Sequence, residues 1–305
     1  MAAGLIHTAS SILIPSGGVG PDAEPTFNAA TQTMILDDNM EEYTTVEAMG
    51  DTSVLGTFTR IVPNPSPVTG PPDDPVVHPE LNQIIAPGRN GTGQALRLAF
   101  TGVAQDSAKW VMLNTPTIPD LATHYAEYYG RVILSAPLDP GVSLAVKWFM
   151  AWHKASSTRV EWNTRFASIA YRAGDPNDTV WQVIDQADSD TNGDQPVGPY
   201  PLTVFNGQWH KFSYSWRANT SVGSRDGFAR MWVDGTKIVD VSATAAAEPV
   251  PPGGTHVWCT LADVDNLLAG DGFRELNWGW TQTTDTPSWT YDIDDVKWWI
   301  DGGLT

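Results

Sequence analysis

Phe228-Ala229-Arg230-Met231-Trp232-Val233-Asp234-Gly235-Thr236-Lys237-Ile238-Val239-Asp240-Val241-Ser242 decides the fold. Two runs rich in β-branched and aromatic residues flank an Asp-Gly pair. Gly tolerates positive φ, so the pair predicts a tight hairpin between two strands. Working outward, the same period of two recurs. Residues 208–217 alternate His210, Phe212, Tyr214 and Trp216 against Trp209, Lys211, Ser213 and Ser215. Residues 143–153 put Leu144, Val146, Trp148, Met150 and Trp152 on one face. Residues 94–101, 125–134, 165–172, 275–280 and 289–300 read the same way. Alternation of this kind means one face packs inward while the other meets solvent or a second layer. Many strands, Gly- and Pro-rich turns and almost no helical period predict an all-β, antiparallel two-sheet sandwich or jelly roll.

The chain has 305 residues, 41% of them hydrophobic, which is ample for a core. Lys plus Arg is 17 and Asp plus Glu is 35, so the formal net charge is −18. That balance argues against a nucleic-acid partner, because phosphate binding rests on clustered Lys and Arg. The excess is partly concentrated at residues 37–47, 188–194 and 292–295. With one cysteine, Cys259, there is no intrachain disulfide framework and no cysteine zinc site. No apolar run approaches the roughly 20 residues that span a bilayer. Residues 1–15 lack a cation before their apolar part, and Ser and His interrupt it, so no secretory signal is expected.

Residues 1–35 are rich in Gly, Pro, Ser and Ala and read as an extended arm. The sandwich is expected over 36–305, with a Pro-dense excursion at about 62–90. Residues 44–49 could form one short helix. Trp298 and Trp299 are neighbours on a strand and must face opposite ways, so one of them meets the arm or a partner.

Several stretches then carry a family likeness. Gly207-Gln208-Trp209-His210-Lys211 precedes Asp226-Gly227-Phe228-Ala229-Arg230-Met231-Trp232-Val233-Asp234-Gly235. Tyr291-Asp292-Ile293-Asp294-Asp295-Val296 closes the pattern. Asp37-Asp38-Asn39-Met40-Glu41-Glu42-Tyr43 and Gly93-Gln94-Ala95-Leu96-Arg97-Leu98 open it. Together they resemble the concanavalin A-like lectin/glucanase superfamily. The resemblance implies a two-sheet jelly roll over roughly residues 36–300. It also implies a range of functions: lectin-like and laminin-G-like modules, glycoside hydrolases, polysaccharide lyases and virion proteins.

The chemistry is less legible. Hydrolysis of a glycoside needs two facing carboxylates, and the E-x-D-x-x-E strand of the superfamily's glucanases is missing. Lysis of a uronate polymer needs a base and a group that neutralises the carboxylate. His153, Arg165, His210, Lys211 and Tyr214 are candidates on strands that could share one concave sheet, but the motifs of alginate lyases are absent. The alternative for each His is an ordinary hydrogen-bonded strand residue. Asp188-Ser189-Asp190-Thr191-Asn192-Gly193-Asp194 alternates oxygen side chains about a Gly, which suits Ca2+ through Asp188, Asp190, Asn192 and Asp194. A polar turn is the competing reading, since position twelve is Pro199 and flanking helices are missing. Trp152, Trp209 and Trp232 are candidate platforms for sugar rings, against a core or interface role.

The sequence therefore leans away from an enzyme. The leading expectation is a structural, decoration or attachment protein of a virus particle, most plausibly a bacteriophage. It would contact other subunits or itself through the arm, and a cell-surface glycan through the sandwich. A polysaccharide lyase and a soluble carbohydrate-binding module are the alternatives.

Overall fold

The computed structural model describes residues 23–44, 53–54, 56–57, 60–62, 82–100, 110–119, 122–137, 143–156, 159–172, 180–187, 192–199, 204–217, 228–242, 272–277, 280–281 and 288–302. Side chains are described at 23–44, 83–99, 122–137, 204–217, 228, 230–240 and 288–302. Every described element is a strand, and every pairing is antiparallel.

Two eight-stranded sheets make the body. The first runs β15 (Thr236–Ser242), β14 (Phe228–Val233), β13 (His210–Arg217), β8 (His124–Leu134), β18 (Trp289–Asp301), β6 (Ala95–Phe100), β5 (Asn82–Ile85). β1 (Gln32–Asp38) also pairs with β18. The second runs β12 (Asn192–Pro199), β11 (Val180–Ala187), β10 (Arg159–Arg172), β9 (Ser143–Ser156), β16 (Gly272–Asn277), β7 (Trp110–Pro119), β4 (Arg60–Val62). β17 (Trp280–Thr281) pairs with β9, and β2 (Ser53–Val54) pairs with β3 (Gly56–Thr57).

The hairpin that opened the sequence reading is β14 and β15, with Asp234 at φ 48° and Gly235 at φ 79°. Both central residues are left-handed, which is the backbone a two-residue hairpin turn of matching twist demands. The short helix expected at 44–49, apart from Thr44, and Cys259 lie outside the described residues, as does most of the Pro-dense excursion. β1 begins inside the stretch read as arm.

The alternation survives in three dimensions. Along β8, His124, Ala126, Tyr128, Gly130 and Val132 are buried while the residues between them are partly exposed. By register, Tyr128 stands beside Phe212 and Ala126 beside Tyr214 and Trp298. These residues, with Leu96, Leu98, Trp216, Met231 and Ile293, form the inward face and are all essentially inaccessible. Tyrosine hydroxyls on this face pair with one another: the Tyr291 hydroxyl donates to Tyr128 at 2.6 Å, and the Tyr128 and Tyr214 hydroxyls share a bond at 3.1 Å. The Trp298 indole N–H donates to His124 Nδ1 at 3.3 Å.

The arm's described part packs on its own sheet. Phe27 meets Trp299 edge to face, with ring centroids 6.2 Å apart, and Tyr125 stacks on Trp299 at 5.7 Å. Glu24 accepts from Ser213 at 2.6 Å and pairs with Lys211 at 2.9 Å. So Trp298 faces the core while Trp299 faces the arm, as their adjacency required.

Parity along β18 changes at a bulge between Asp294 and Lys297, where Asp295 sits at φ 49°. The bulge is clipped by the 86–93 turn. The Arg89 amide donates to Asp294 Oδ2 at 2.9 Å, and the Asp295 amide donates to Oδ1 at 2.8 Å. Burial pushes the Asp294 carboxyl up to about 6, against the lowering effect of the Arg89 amide. The folded state therefore binds this proton more tightly than the unfolded chain. Its stabilising contribution is complete below the ordinary carboxylate range and is lost as pH rises to about 6. Urea unfolding of Asp294→Asn against the native chain at pH 4 and pH 6.5 checks this. The native midpoint should fall more over that interval than the variant's; parallel slopes would refute it.

Candidate functional site

The faces of the second sheet follow from its register, because residues directly opposite one another in neighbouring strands share a face. One row runs Asn114 (β7), Glu275 (β16), Trp152 (β9), Asn163 (β10), Gln186 (β11), Asn192 (β12). Two residues along lies Asn277, Met150, Arg165, Ile184, Asp194. Next comes Trp280 (β17), Lys147, Ala167, Gln182, Pro196. These three rows occupy one face. The rows between them occupy the other: Leu113, Leu276, Ala151, Thr164, Asp185, Gly193, and then Phe149, Phe166, Val183, Gln195.

The contrast between the faces is chemical. The first carries amides, two cations, two carboxylates and two Trp. The second carries mostly aliphatic and aromatic residues, and it is the face whose composition suits the interior of a sandwich. An irregularity sets this pattern: β9 has one residue more than β10 between Phe149 and Lys147. Trp148 is that extra residue, so Lys147 takes the place in the Met150 and Trp152 face that simple alternation assigns to Trp148.

The candidate residues separate accordingly. Trp152 and Arg165 stand in adjacent rows of the polar face. His153 pairs with Trp162 and Phe273 and so stands on the opposite face. His210, Lys211 and Tyr214 are on β13, in the other sheet altogether. The expectation that the five could share one sheet is thus not met, because strand order places β13 between β14 and β8.

Each β13 candidate is also fully engaged. His210 Nδ1 lies 2.6 Å from Asp234 Oδ2, and Nε2 lies 3.0 Å from Asn206 Oδ1, which also accepts from the Gln208 amide at 2.8 Å. Both ring nitrogens are thus engaged within the chain. Burial pulls the Lys211 ammonium down, but its pairs with Glu127 and Glu24, each at 2.9 Å, outweigh that and hold it above its ordinary value. It remains a cation. Tyr214 is inaccessible in the core, and burial pushes its phenol well above the ordinary value.

Of the Trp candidates, Trp232 is 2% exposed and offers no ring to a ligand. Trp209 is half-buried on the outer face of the first sheet, under the Arg131 guanidinium at 4.5 Å. For calcium, Asn192 and Asp194 belong to β12, paired with Gln186 and Ile184, and Asp188 and Asp190 lie outside the described residues. Among the described residues no cluster of three His, Cys, Asp or Glu is positioned for a metal. The strands β11 and β12 escaped the sequence reading, since Pro196, Pro199 and the acidic run masked their period.

The polar face was legible in neither strand alone. It arises from residues up to 161 positions apart, from Asn114 to Glu275, brought opposite each other by pairing. Its two carboxylates, Glu275 and Asp194, stand four strands apart, about 19 Å at the usual strand spacing. That exceeds the roughly 5–10 Å across which a hydrolytic pair works.

No family model matches the chain, and no curated protein matches it in sequence. Solved structures do match it in shape. An alginate lyase, Aly36B, bound to an alginate tetrasaccharide, aligns with 11% identity and a TM-score of 0.51 over 88% of this chain and 97% of that one. An endo-1,3-beta-glucanase from Streptomyces sioyaensis aligns with 9% identity and a TM-score of 0.52 over 92% and 100%. At such identities the likeness concerns the backbone. The expected architecture is therefore the observed one, and this chain is a two-sheet, antiparallel jelly roll of the concanavalin A-like fold.

Proposed function

We propose that this protein is a carbohydrate-active protein that binds an extended polysaccharide along the polar face of its second sheet. The observation that carries this reading is the register itself. It lines up Asn163, Gln186, Asn114, Asn277 and Arg165 beside Trp152 and Trp280 on one face. Amides and guanidiniums hydrogen-bond hydroxyls in pairs, and indole rings stack on the apolar faces of sugars. A row crossing six strands is about 24 Å long, enough to meet several sugar units at once. The fold shared with a lyase and a glucanase supports the carbohydrate setting.

Binding ranks ahead of cleavage. A guanidinium such as that of Arg165 is the group that would neutralise a uronate carboxylate, but no His or Tyr stands beside it in the three rows. The particle reading loses its first place. Solved structures that share the fold include a lyase and a glucanase, which favours the carbohydrate reading over it.

Calorimetric titration against a panel of neutral and uronate polysaccharides tests the proposal. Binding to at least one polymer is expected, with the ultraviolet absorbance of unsaturated uronate unchanged. A panel with no binder removes the reading, and a rising absorbance would instead make the protein a lyase.

A further inference from the structure

We infer that the outer face of the first sheet holds a second ligand site, a fixed guanidinium pair at Arg97 and Arg131 that takes a carboxylate or sulfate borne on a glycan. This site is in a different sheet from the proposed polysaccharide face and does not depend on it.

The row Arg97, Asp292, Arg131 crosses β6, β18 and β8 in register. Arg97 Nε donates to Asp292 Oδ1 at 2.6 Å and Nη2 donates to Oδ2 at 2.9 Å. Arg131 Nε and Nη2 donate to Oδ2 at 3.0 and 2.6 Å. Asp292 is wholly inaccessible, whereas the two arginine side chains are 28% and 22% exposed. A guanidinium has five N–H groups. Each of these spends two on Asp292, so three on each remain for solvent or a ligand.

Two cations on one carboxylate leave a net charge of +1, in a chain whose formal charge is −18. One arginine would neutralise a buried aspartate. A second costs desolvation that the shared carboxylate does not offset alone. The arrangement does have one clear consequence: both forks are held rigid, with free N–H edges toward solvent. Arg131 is further fixed by lying over the Trp209 ring. A rigid pair of forks matches the planar or tetrahedral oxygens of an oxyanion bidentately. The nearby carboxylates do not occupy the pair. Asp295 is bound by the Arg89 guanidinium at 2.6 Å, and Asp294 by the Arg89 amide.

The chain's net acidity is screened beyond about 10 Å, so a single oxyanion at the pair meets mainly the local positive charge, whereas a long polyanion also runs past the surrounding carboxylates. That favours an oxyanion presented at short range on a sugar, next to the half-buried Trp209 ring.

Titration of the 15N-labelled full chain with trigalacturonate, a sulfated galactose trisaccharide, a neutral galactose trisaccharide and inorganic sulfate tests this, read at the arginine Nε–H resonances. The acidic trisaccharides should shift the Arg97 and Arg131 signals, the neutral one should not, and inorganic sulfate should bind at least tenfold more weakly than the sulfated trisaccharide. Arg97→Lys and Arg131→Lys, which keep the charge but lose the fork, assign the signals and should each weaken binding about tenfold. If one variant fails to fold, the other still assigns one signal of the pair, and the native titration read at that signal decides. Unmoved signals, or equal shifts with the neutral sugar, overturn the site; equal affinity for inorganic sulfate overturns the glycan assignment. Trp152→Ala should leave these shifts intact, so failure of the other face would be seen separately.

Discussion

Asp292→Ala is expected to destabilise the protein by about 3 kcal/mol, lowering Tm by roughly 6–12 °C. The side chain is inaccessible, and both of its oxygens accept from guanidiniums. Its removal leaves Arg97 and Arg131 facing each other without the anion that held them. Their repulsion adds to the loss of four charge-assisted hydrogen bonds. The partial exposure of both arginines lets water relieve some of this, which keeps the figure at the lower end for a broken buried ion pair. Asp292→Asn, of nearly equal volume, should cost less because one carbonyl oxygen remains. Urea unfolding of the two variants side by side checks the argument. A loss under 1 kcal/mol for the alanine variant would mean that water already solvates the guanidiniums fully.

Trp152→Ala is expected to weaken polysaccharide binding by about 2 kcal/mol, roughly thirtyfold. Trp152 stands inside its row, between the carboxylate residue Glu275 and the amide residue Asn163. Aromatic anchors at the middle of a contact carry most of its energy, while the surrounding polar groups set alignment. Trp209→Ala serves as the comparison, since Trp209 belongs to the other sheet's neighbourhood. Calorimetry with whichever polymer binds the native chain gives the answer. An unchanged affinity for Trp152→Ala alongside a weakened Trp209→Ala would move the polymer site to the first sheet.

Legibility in the sequence divided along physical lines. The Asp234-Gly235 hairpin is a local matter of two φ angles, so its position could be read directly. Period two in residues 125–134, 208–217 and 289–300 is also local, and β8, β13 and β18 stand there. The opposed destinies of Trp298 and Trp299 follow from the same alternation.

What escaped were properties of pairing. Alternation says that residues two apart share a face, but not which sheet receives the strand or what stands opposite. That is why His153 and Arg165 were grouped with His210, Lys211 and Tyr214, although β13 pairs with β8 and β14 in the first sheet. A single extra residue in β9 further displaces Trp148 from the face that alternation gives it.

By itself the sequence determined the strand character of the described elements and the central hairpin, because these rest on backbone propensity and nearest-neighbour spacing. Only the tertiary structure decided that Asn114, Glu275, Trp152, Asn163, Gln186 and Asn192 form one row, and that Arg97 and Arg131 share one buried carboxylate. Those arrangements depend on hydrogen-bond register between strands far apart in the chain. Such register is set by the packing of two whole sheets, and no window of sequence contains it.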